Sequence, residues 1–299
     1  MKKSTLLLLV LIFISSGLTL QAQKTDESCF KFVFLTDIHV QPEEMATEGF
    51  QQAIAKVNEI NPDFVITGGD LIMDALNQTK ERADSLYLLY LSLQKQFNMP
   101  VYNTPGNHEN YGFQNIENVE RTDPDYGINM FRRYLGKPYY SFDHQGWHFI
   151  VLNSVAETEE RGYRGDISQE QIEWLEKDLN GIDDSTPIVI SVHIPFISVM
   201  RQRMYGALEP NLEGGVINNS REVLRLFNGK NLKLALQGHL HYLEDIYIEG
   251  KTHFITGGAV SANWWRGPRY GMEEGFLVLS VKGEDFSWEY VDFGWEVEK

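Results

Sequence analysis

Polar side chains of the kinds that bind metal ions follow five apolar segments of this chain. The segments end in the motifs TDIH, GGD, PGNHE, SVHIP and QGHLH, which together hold five of the eight histidines in 299 residues. Because the carboxyl ends of the strands form the ligand crevice in an open α/β sheet, we expect these side chains to meet at one site. The candidate donors are Asp37, His39, Asp70, Asn107, His108, His193, His239 and His241.

Each motif has an ordinary structural interpretation when it is taken alone. Asp37 and Asp70 can cap a following helix, and Asn107 can be a turn residue. A single histidine at the end of an apolar run, such as His193, is often a hydrogen-bonded core residue. To explain all five motifs in this way, a separate structural reason is needed for each. One shared site explains the five motifs together.

The mixture of donor types indicates transition metals. Imidazole suits zinc, iron and manganese, while carboxylate and amide oxygens suit harder cations. The seven donors other than His108 are too many for one four-coordinate zinc ion. They are the right number for two ions that share a carboxylate, the arrangement that holds the oxygens of an in-line displacement at phosphorus. We therefore predict two divalent or mixed-valence transition-metal ions (Zn, Mn, Fe or Co) as cofactors.

The segments that carry these motifs predict the fold class. Strand-like apolar runs at 31–37 and 62–70 flank a stretch with helical spacing around 50–60, which indicates a βαβ layout with a parallel sheet. Residues 137–154 alternate like an antiparallel hairpin, and residues 246–299 consist of strands and turns. We predict an α/β fold, a mixed β-sheet sandwich flanked by helices, with the metal site at the C-terminal ends of the strands.

The domain organisation follows from the termini and from the absence of a linker. Residues 1–22 have a positive start, a short apolar core and a small-residue end, which predicts a cleaved signal peptide and a periplasmic or secreted protein. The alternative is an uncleaved anchor, for which the apolar core is short, and no later stretch approaches spanning length. Residues 23–299 are predicted to form a single domain, with a core at 31–245 and a β-rich C-terminal part at 246–299.

The overall charge limits the possible partners. The chain has 26 basic and 42 acidic residues, a formal charge of −16. Nucleic-acid affinity depends mostly on Lys and Arg that neutralise phosphates, so a general nucleic-acid binder is not expected. A small phosphorylated partner at a metal site remains compatible with this charge. The sequence carries no sign of the oligomeric state.

The order of the motifs D-x-H, G-D, G-N-H-E, H and G-H-x-H resembles that of the calcineurin-like metallophosphoesterases, over residues 31–245. The resemblance implies roles for the matching residues and a metal-bound hydroxide as the attacking group. One ion is then held by Asp37, His39 and His241, and the other by Asn107, His193 and His239, with Asp70 bridging the two. His108 is implied to stabilise the transferring phosphoryl group or to protonate the leaving oxygen.

Several residues outside this core are candidates for supporting roles. Glu109 is interpreted as a residue that orients His108 or a ligand, in preference to direct ligation. Trp264, Trp265 and Arg266 can form a rim where aromatic rings stack on a substrate and the arginine meets a phosphate. The alternative is a core tryptophan and a solvated arginine.

The segment 196–216 is long for a connection and is a candidate lid or specificity loop. Arg201, Arg203 and Tyr205 are possible phosphate contacts within it. The conformation of such a loop is not readable from its sequence, and the loops decide the substrate.

The function predicted from these observations is metal-dependent hydrolysis of phosphoric esters, by a phosphodiesterase or a phosphomonoesterase acting on a small substrate. The motifs do not separate the two, and the acidic surface favours a small diester or phosphorylated metabolite. Amidohydrolases also use H-x-H and carboxylates, but there H-x-H usually comes first and an Asp last, the reverse of the order here. The remaining alternative is a secreted metal-dependent protein that binds a phosphate ligand without turnover.

Overall fold

Strands dominate the computed structural model, which describes residues 29–114 and 119–297. In chain order the strands are β1 (Cys29–Leu35), β2 (Phe64–Thr67), β3 (Val101–Tyr102), β4 (Tyr140–His144), β5 (Trp147–Val151), β6 (Val155–Glu157), β7 (Tyr163–Gly165), β8 (Pro187–Ser191), β9 (Asn231–Gln237), β10 (Glu244–Ile248), β11 (Thr252–Thr256), β12 (Gly275–Lys282) and β13 (Asp285–Asp292). The helices are α1 (Ala46–Ile60), α2 (Lys80–Gln94), α3 (Asn129–Leu135), α4 (Gln169–Asn180), α5 (Met200–Tyr205) and α6 (Ser220–Arg225). The predicted signal peptide, residues 1–22, lies outside the described residues.

The strands form two main sheets and a small hairpin sheet. The first sheet has the order β13-β12-β1-β2-β3, in which β1, β2 and β3 are parallel and β12 and β13 are antiparallel additions. The second has the order β10-β11-β9-β8-β5-β4, with four parallel strands at its centre. β6 and β7 pair separately. The predicted α/β class with mixed sheets is confirmed.

The hairpin between β4 and β5 forms where the sequence predicts it. Gln145 and Gly146 make the two-residue turn, and both have positive φ values, 44° and 82°. Such a pair matches the right-handed twist of the strands that it joins. The register that follows pairs His144 with Trp147 and Phe142 with Phe149.

The two sheets face each other across a layer of aromatic and aliphatic side chains. Phe32 and Phe64 stack at 5.2 Å between ring centroids, and Phe149 from the second sheet meets both rings edge-on. All three rings are buried. Rings of this size contribute a large apolar area and an additional gain from their edge-to-face geometry. This layer holds the two sheets at one separation and so positions their strand ends.

Helices cover the outer faces of the sheets. The N-terminus of α2 is capped by Thr79, whose hydroxyl accepts from the Arg82 backbone N–H, and α4 begins after Ser168, whose hydroxyl accepts from the Gln171 N–H. The spacing of Ser168 and Gln171, a serine followed three residues later by a glutamine, is a sequence pattern typical of a helix N-terminus. Within the parts of the chain described above, no helix is long and apolar enough to cross a membrane.

The C-terminal part, 246–299, has a role that its sequence does not reveal. β12 and β13 complete the first sheet beside β1, whereas β10 and β11 extend the second. The strands of this part, described as far as residue 297, therefore belong to the same two sheets as the motif-bearing strands. The boundaries of the single domain at 23–299 stay a prediction.

Candidate metal centre

The five motifs come together at one end of the two sheets. β1, β2 and β3 of the first sheet and β8 and β9 of the second each run into one of the motif loops. The loops carry, in this order, Asp37 and His39, then Asp70, then Asn107 and His108, then His193, then His239 and His241. Parallel strands place their carboxyl ends at the same edge, so both sheets deliver polar side chains to one crevice.

The backbone in these loops has an unusual conformation. Five of the candidate ligands have positive φ values, namely Asp37 (55°), His39 (48°), Asp70 (51°), His239 (74°) and His241 (49°). A residue with a side chain adopts this left-handed region only when the surrounding structure compensates for the cost, and such residues cluster at functional sites. The chain therefore turns sharply after β1, β2 and β9, at the candidate ligands themselves.

Asp37, His39 and His241 form the first group of donors. Their potential ligand atoms lie within 4.8 Å of one another, and all three residues are buried. The Nε2 atoms of His39 and His241 are 3.0 Å apart, and His241 Nε2 lies 3.3 Å from Asp37 Oδ1. The Asp37 carboxylate is held in place by the Thr36 hydroxyl at 2.7 Å and by the His239 backbone N–H.

Asp70, Asn107, His193 and His239 form the second group. His193 Nε2 lies 3.0 Å from Asn107 Oδ1 and 3.1 Å from Asp70 Oδ2, and His239 contributes a ring nitrogen within 4.8 Å of the Asp70 and His193 donors. The same Asp70 Oδ2 is 3.7 Å from His39 Nε2 in the first group. One carboxylate oxygen therefore faces both groups.

The hydrogen bonds of two imidazoles show that this donor set fits cations. Nδ1 of His193 donates to the Gly68 carbonyl at 2.8 Å, and Nδ1 of His241 donates to the Ala262 carbonyl at 2.6 Å, because a carbonyl can only accept. When either ring is neutral, its Nε2 lone pair points at a carboxylate oxygen, that of Asp70 for His193 and that of Asp37 for His241. Acceptors that converge in this way need a positive charge between them, and the bond from the other ring nitrogen to a carbonyl is typical of metal-binding histidines.

The electrostatics of the group point in the same direction. Burial favours the neutral form of Asp37, but the imidazoles of His241 and His193 outweigh it and lower the pKa of this carboxyl. The pKa of His193 rises to about 9, because the Asp70 and Asp37 carboxylates outweigh the opposing effect of burial. Burial and the nearby His193 lower the pKa of His239 to about 4, so its ring is neutral at pH 7. The ionised Asp37 carboxylate and the neutral His239 ring are in the protonation states that metal ligation requires, and His193 would reach that state when a metal ion displaces its proton.

Glu109 does not point at either group of donors, and instead holds the backbone around Asp70. Its buried carboxylate accepts from the backbone N–H groups of Asp70, Leu71, Ile72 and Gly106 at 2.6 to 3.2 Å. Burial and the Asp70 charge raise the pKa of Glu109 to about 7, and the backbone donors partly offset them. This geometry fits a positioning role for Glu109 through the loop that carries Asp70.

His108 lies beside the two groups and is partly open to solvent. Its Nδ1 donates to the Met73 carbonyl, and its Nε2 is 3.8 Å from Asp70 Oδ2. The side chain is 20% exposed, whereas those of His39, His193 and His241 are at most 3% exposed. A histidine whose free nitrogen faces both the site and solvent can exchange a proton with a bound ester.

The rim residues predicted from the sequence divide into two cases. Trp265 is 1% exposed, and its indole N–H donates to the Ile38 carbonyl at 2.9 Å, so it packs in the core and cannot stack on a substrate. Trp264 does line the site, with its ring 4.9 Å from that of His241. The expectation of a direct substrate contact is therefore wrong for Trp265, because the second tryptophan fills the space above Gly49 in α1.

The predicted arginine contacts are engaged elsewhere. Arg266 is exposed and pairs with Glu44 at 3.0 Å. The guanidinium of Arg201 pairs with Glu209, and its Nε donates to the Pro210 carbonyl at 2.8 Å. Arg203 and Tyr205 are exposed on α5. Of these side chains, Arg201 lines a cavity that the candidate ligand His239 also lines, but its guanidinium is engaged by Glu209.

Sequence reasoning missed two residues at the site. The guanidinium of Arg269 lies 4.4 Å from the centre of the Trp264 ring, and the buried Nη1 of Arg269 and Nε1 of Trp264 have no hydrogen-bond partner among the described residues. Tyr163 meets the His239 ring edge-on at 6.0 Å, and burial and the Asp70 charge raise its pKa to about 12. Arg269 lies three residues after Arg266, and the spacing alone does not tell which arginine turns inward.

The sequence that forms this site matches a known protein family. Residues 30–243 match the family model described as calcineurin-like phosphoesterase. The chain belongs to this family. The match spans all five motif loops, from Asp37 to His241, and it agrees with the resemblance seen in the order of the motifs.

Two curated relatives of the chain come from bacteria. A probable cyclic nucleotide phosphodiesterase from Fibrobacter succinogenes is 26% identical over 194 residues, which is 65% of this chain and 63% of the relative. A probable glycerophosphodiester phosphodiesterase from Arcobacter nitrofigilis is 26% identical over 153 residues, 50% of this chain and 49% of the relative. The chain thus spans about half to just under two thirds of the length of these relatives.

A solved structure with a similar fold is that of a dimetal phosphatase from Danio rerio. It superposes with a TM-score of 0.59 at 14% identity, over 89% of this chain and 99% of the other. At this identity the likeness concerns the fold alone. The fold described above therefore recurs in a solved structure.

Proposed function

We propose that this protein hydrolyses phosphoric esters at a site that holds two transition-metal ions, and that its substrates are small phosphodiesters. The observation that carries the proposal is the position of Asp70, whose Oδ2 faces His193 at 3.1 Å and His39 at 3.7 Å. A carboxylate shared by two donor groups is the arrangement expected of a two-metal hydrolytic site. When bound, the ions supply a water of lowered pKa as nucleophile and positive charge for the phosphoryl oxygens.

The residues that would hold the ions are those of the two groups. Asp37, His39 and His241 would bind one ion, and Asn107, His193 and His239 the other, with Asp70 between them. Backbone and side-chain contacts fix their orientation before any substrate arrives. The Thr36 hydroxyl and the His239 N–H hold the Asp37 carboxylate, and the carbonyls of Gly68 and Ala262 hold two of the rings. Such preorganisation lowers the barrier for a reaction that depends on placement and charge.

His108 is proposed as the residue that protonates the leaving oxygen or stabilises the phosphoryl group. The bond from Nδ1 to the Met73 carbonyl leaves Nε2 as the reactive nitrogen, and this nitrogen faces the crevice beside Asp70. A protonated Nε2 can donate to an oxygen of a bound ester. The imidazoles of His39, His193 and His241 are at most 3% exposed and have no comparable access to solvent.

The preference for diesters rests on similarity and on charge. Both curated relatives are named as phosphodiesterases, one for cyclic nucleotides and one for glycerophosphodiesters. A diester has one negative charge at phosphorus, which suits a chain with a formal charge of −16 better than a doubly charged monoester does.

The test is a hydrolysis screen of the metal-loaded protein against cyclic nucleotides, glycerophosphodiesters, bis(p-nitrophenyl) phosphate, p-nitrophenyl phosphate and sugar phosphates. Zinc, manganese, iron and cobalt are loaded separately. We expect hydrolysis of at least one diester at a rate that exceeds hydrolysis of the monoesters. Binding of phosphate without hydrolysis of any ester would replace the proposal with a ligand-binding protein.

We further propose that the protein is exported from the cytoplasm. The support is the composition of residues 1–22, which lie outside the described residues. N-terminal sequencing of the protein recovered from cell fractions is expected to find a start after Ala22 in a non-cytoplasmic fraction. An intact N-terminus in the cytoplasm would contradict this.

A further inference from the structure

A cavity of about 370 Å³ opens directly beside the candidate metal centre. His239 forms part of its wall, and Tyr163, Met200 and Leu212 form other parts. Its volume lies within the range of small-molecule sites, which starts at about 300 Å³. Because a metal-binding residue lines it, a phosphorus atom held at the metal centre would have its substituents within reach of this cavity.

The charge of the cavity is close to neutral. Among the described lining residues, Arg201 is the only one from the Lys, Arg, Asp and Glu classes. Its guanidinium is neutralised by Glu209 and stacks at 5.0 Å on the ring of Tyr205. The site therefore offers no free cation to a second phosphate or carboxylate, while Met200 and Leu212 offer apolar surface.

The segment 198–215 forms the outer wall of the cavity. Hydrogen bonds within the segment and to the rest of the fold hold it in place. The Asn211 side-chain amide donates to the Ser198 carbonyl at 3.1 Å, and the Gln202 amide donates to the Glu209 carbonyl at 2.6 Å. At its ends, the Val199 N–H donates to Glu244 and the Glu213 carbonyl accepts from the Gly165 N–H. These bonds hold the wall in place, so the cavity is formed before ligand binding.

This wall also exposes large apolar side chains. Val199 is 48% exposed, Leu212 57%, Tyr205 65% and Leu208 98%. Four such residues within fourteen positions beside a polar site are typical of a ligand-binding rim. Leu212 also lines the cavity, whereas Leu208 does not.

We infer that the cavity binds an ester group of the substrate and that this group is uncharged and partly apolar. The inference rests on the proposed function, because it assumes that phosphorus binds at the metal centre. It deepens that function by naming the substrate class, a phosphoric ester with a neutral, compact organic group. Esters whose organic group carries a further anionic charge are excluded.

Non-hydrolysable phosphonates test this without turnover. Calorimetry with the zinc-loaded protein compares methylphosphonate, phenylphosphonate and 4-carboxyphenylphosphonate. We expect phenylphosphonate to bind about tenfold more tightly than methylphosphonate, because only the ring occupies the cavity. The carboxyphenyl compound is expected to bind no more tightly than methylphosphonate.

Two substitutions of the same kind test whether the ring binds in the cavity. Leu212→Glu adds a charge to the cavity, and Leu208→Glu adds the same charge to the same segment outside it. Leu212→Glu should abolish the preference for the phenyl compound, and Leu208→Glu should keep it. Both side chains are exposed, so both variants are expected to fold.

The possible results separate the two proposals. Equal effects of the two variants, or no preference for the phenyl ring in the unsubstituted protein, would overturn the cavity inference even if esters are hydrolysed. Preference for the ring in a protein that hydrolyses no ester would support the cavity and refute the hydrolytic function.

Discussion

Asp70 contacts both donor groups of the candidate site. Its Oδ2 faces one histidine from each donor group, and its Oδ1 accepts from the His108 backbone N–H at 3.0 Å. The pKa of its carboxyl lies well below the usual range, because the imidazoles of His193 and His108 outweigh burial. A single side chain therefore links both donor groups and the loop of the proposed acid.

Replacement of the Asp70 carboxylate by an amide should weaken the binding of two ions at one site. Asp70→Asn keeps the shape but loses the charge that two cations share, and we expect the metal content to fall from two ions per chain to one or fewer. Hydrolysis should fall by at least about 100-fold. Metal content is measured by atomic emission after gel filtration. An unchanged content of two ions would contradict the bridging role.

His108 is expected to affect catalysis without affecting metal content. His108→Ala should lower kcat by about 100-fold to 10,000-fold, the usual range for a general acid. The loss should be larger for an alkyl ester than for a p-nitrophenyl ester, because nitrophenolate leaves without a proton. Equal losses for both esters would favour stabilisation of the phosphoryl group over proton transfer.

At the scale of elements, the ends of β1 and β9 approach more closely than a side chain permits. A Cβ atom at Gly238 would lie 2.0 Å from the Thr36 hydroxyl oxygen and 3.0 Å from Asp37 Oδ2. The absence of a side chain at Gly238 therefore allows the two strand ends, one from each sheet, to share the Asp37 carboxylate.

Gly238→Ala should displace the Thr36 hydroxyl and break its bond to Asp37. We expect a loss of about 1 to 3 kcal/mol in the free energy of unfolding, together with weaker metal binding. Gly214→Ala is the control, since the nearest atom to its added Cβ is 3.5 Å away. Urea unfolding of the two variants compares them, and equal stabilities would show that the strand ends can separate without cost.

His148 joins the β4–β5 hairpin to α4. Its ring nitrogens lie 2.7 Å from Asp143 and 2.9 Å from Asp178. Burial lowers the pKa of His148, but the bonds to Asp178 and Asp143 outweigh it, and the net pKa is raised above the usual 6.5. For Asp178, burial raises the pKa, but the hydrogen bond from His148 outweighs burial, and the net pKa is lowered below 3.8.

The sign of these shifts sets the pH dependence. A raised histidine pKa adds stability that is complete below about pH 6.5 and is lost as the pH rises through the raised value. A lowered Asp178 pKa adds stability above about pH 4 that is lost under stronger acid. The unsubstituted protein should therefore exceed His148→Gln in free energy of unfolding by more at pH 5.5 than at pH 9. An equal difference at both pH values would mean that the ring is not charged in the folded state.

On the scale of the whole molecule, the candidate ligands come from strand ends of both sheets. β1, β2 and β3 provide one part, and β8 and β9 the other. Metal ions that bind there connect the two layers at one end, and the unfolded chain has no such preformed site. Metal binding should consequently stabilise the native state as a whole.

Removal of metal is expected to lower the melting temperature. A chelator should reduce Tm by about 10 °C, which corresponds to a few kcal/mol for a chain of this size. Zinc should restore the original Tm, and Asp70→Asn should show a smaller difference between the two conditions. A Tm that does not respond to chelator or zinc in the unsubstituted protein would argue against a site that spans both sheets.

The fold class and the candidate ligands can be predicted from the sequence. Apolar runs that end in Asp37, Asp70 or His193 indicate strand ends, because burial dictates the apolar run and the polar side chain must leave it. The hairpin turn at Gln145 and the cap at Ser168 are local features and follow from local chemistry. The local sequence shows that Trp264 and Trp265 are unusual, but it does not show which of the two is buried and which lines the site.

The tertiary structure alone decided which of these residues face the same space. Trp265 packs over Gly49 while its neighbour lines the site, and Arg269 turns inward where Arg266 pairs with Glu44. The left-handed backbone at five of the candidate ligands likewise needs contacts from distant strands to offset its cost. The direction of a side chain and its distance from the site depend on contacts between residues far apart in the chain. Spacing along the sequence does not specify these contacts.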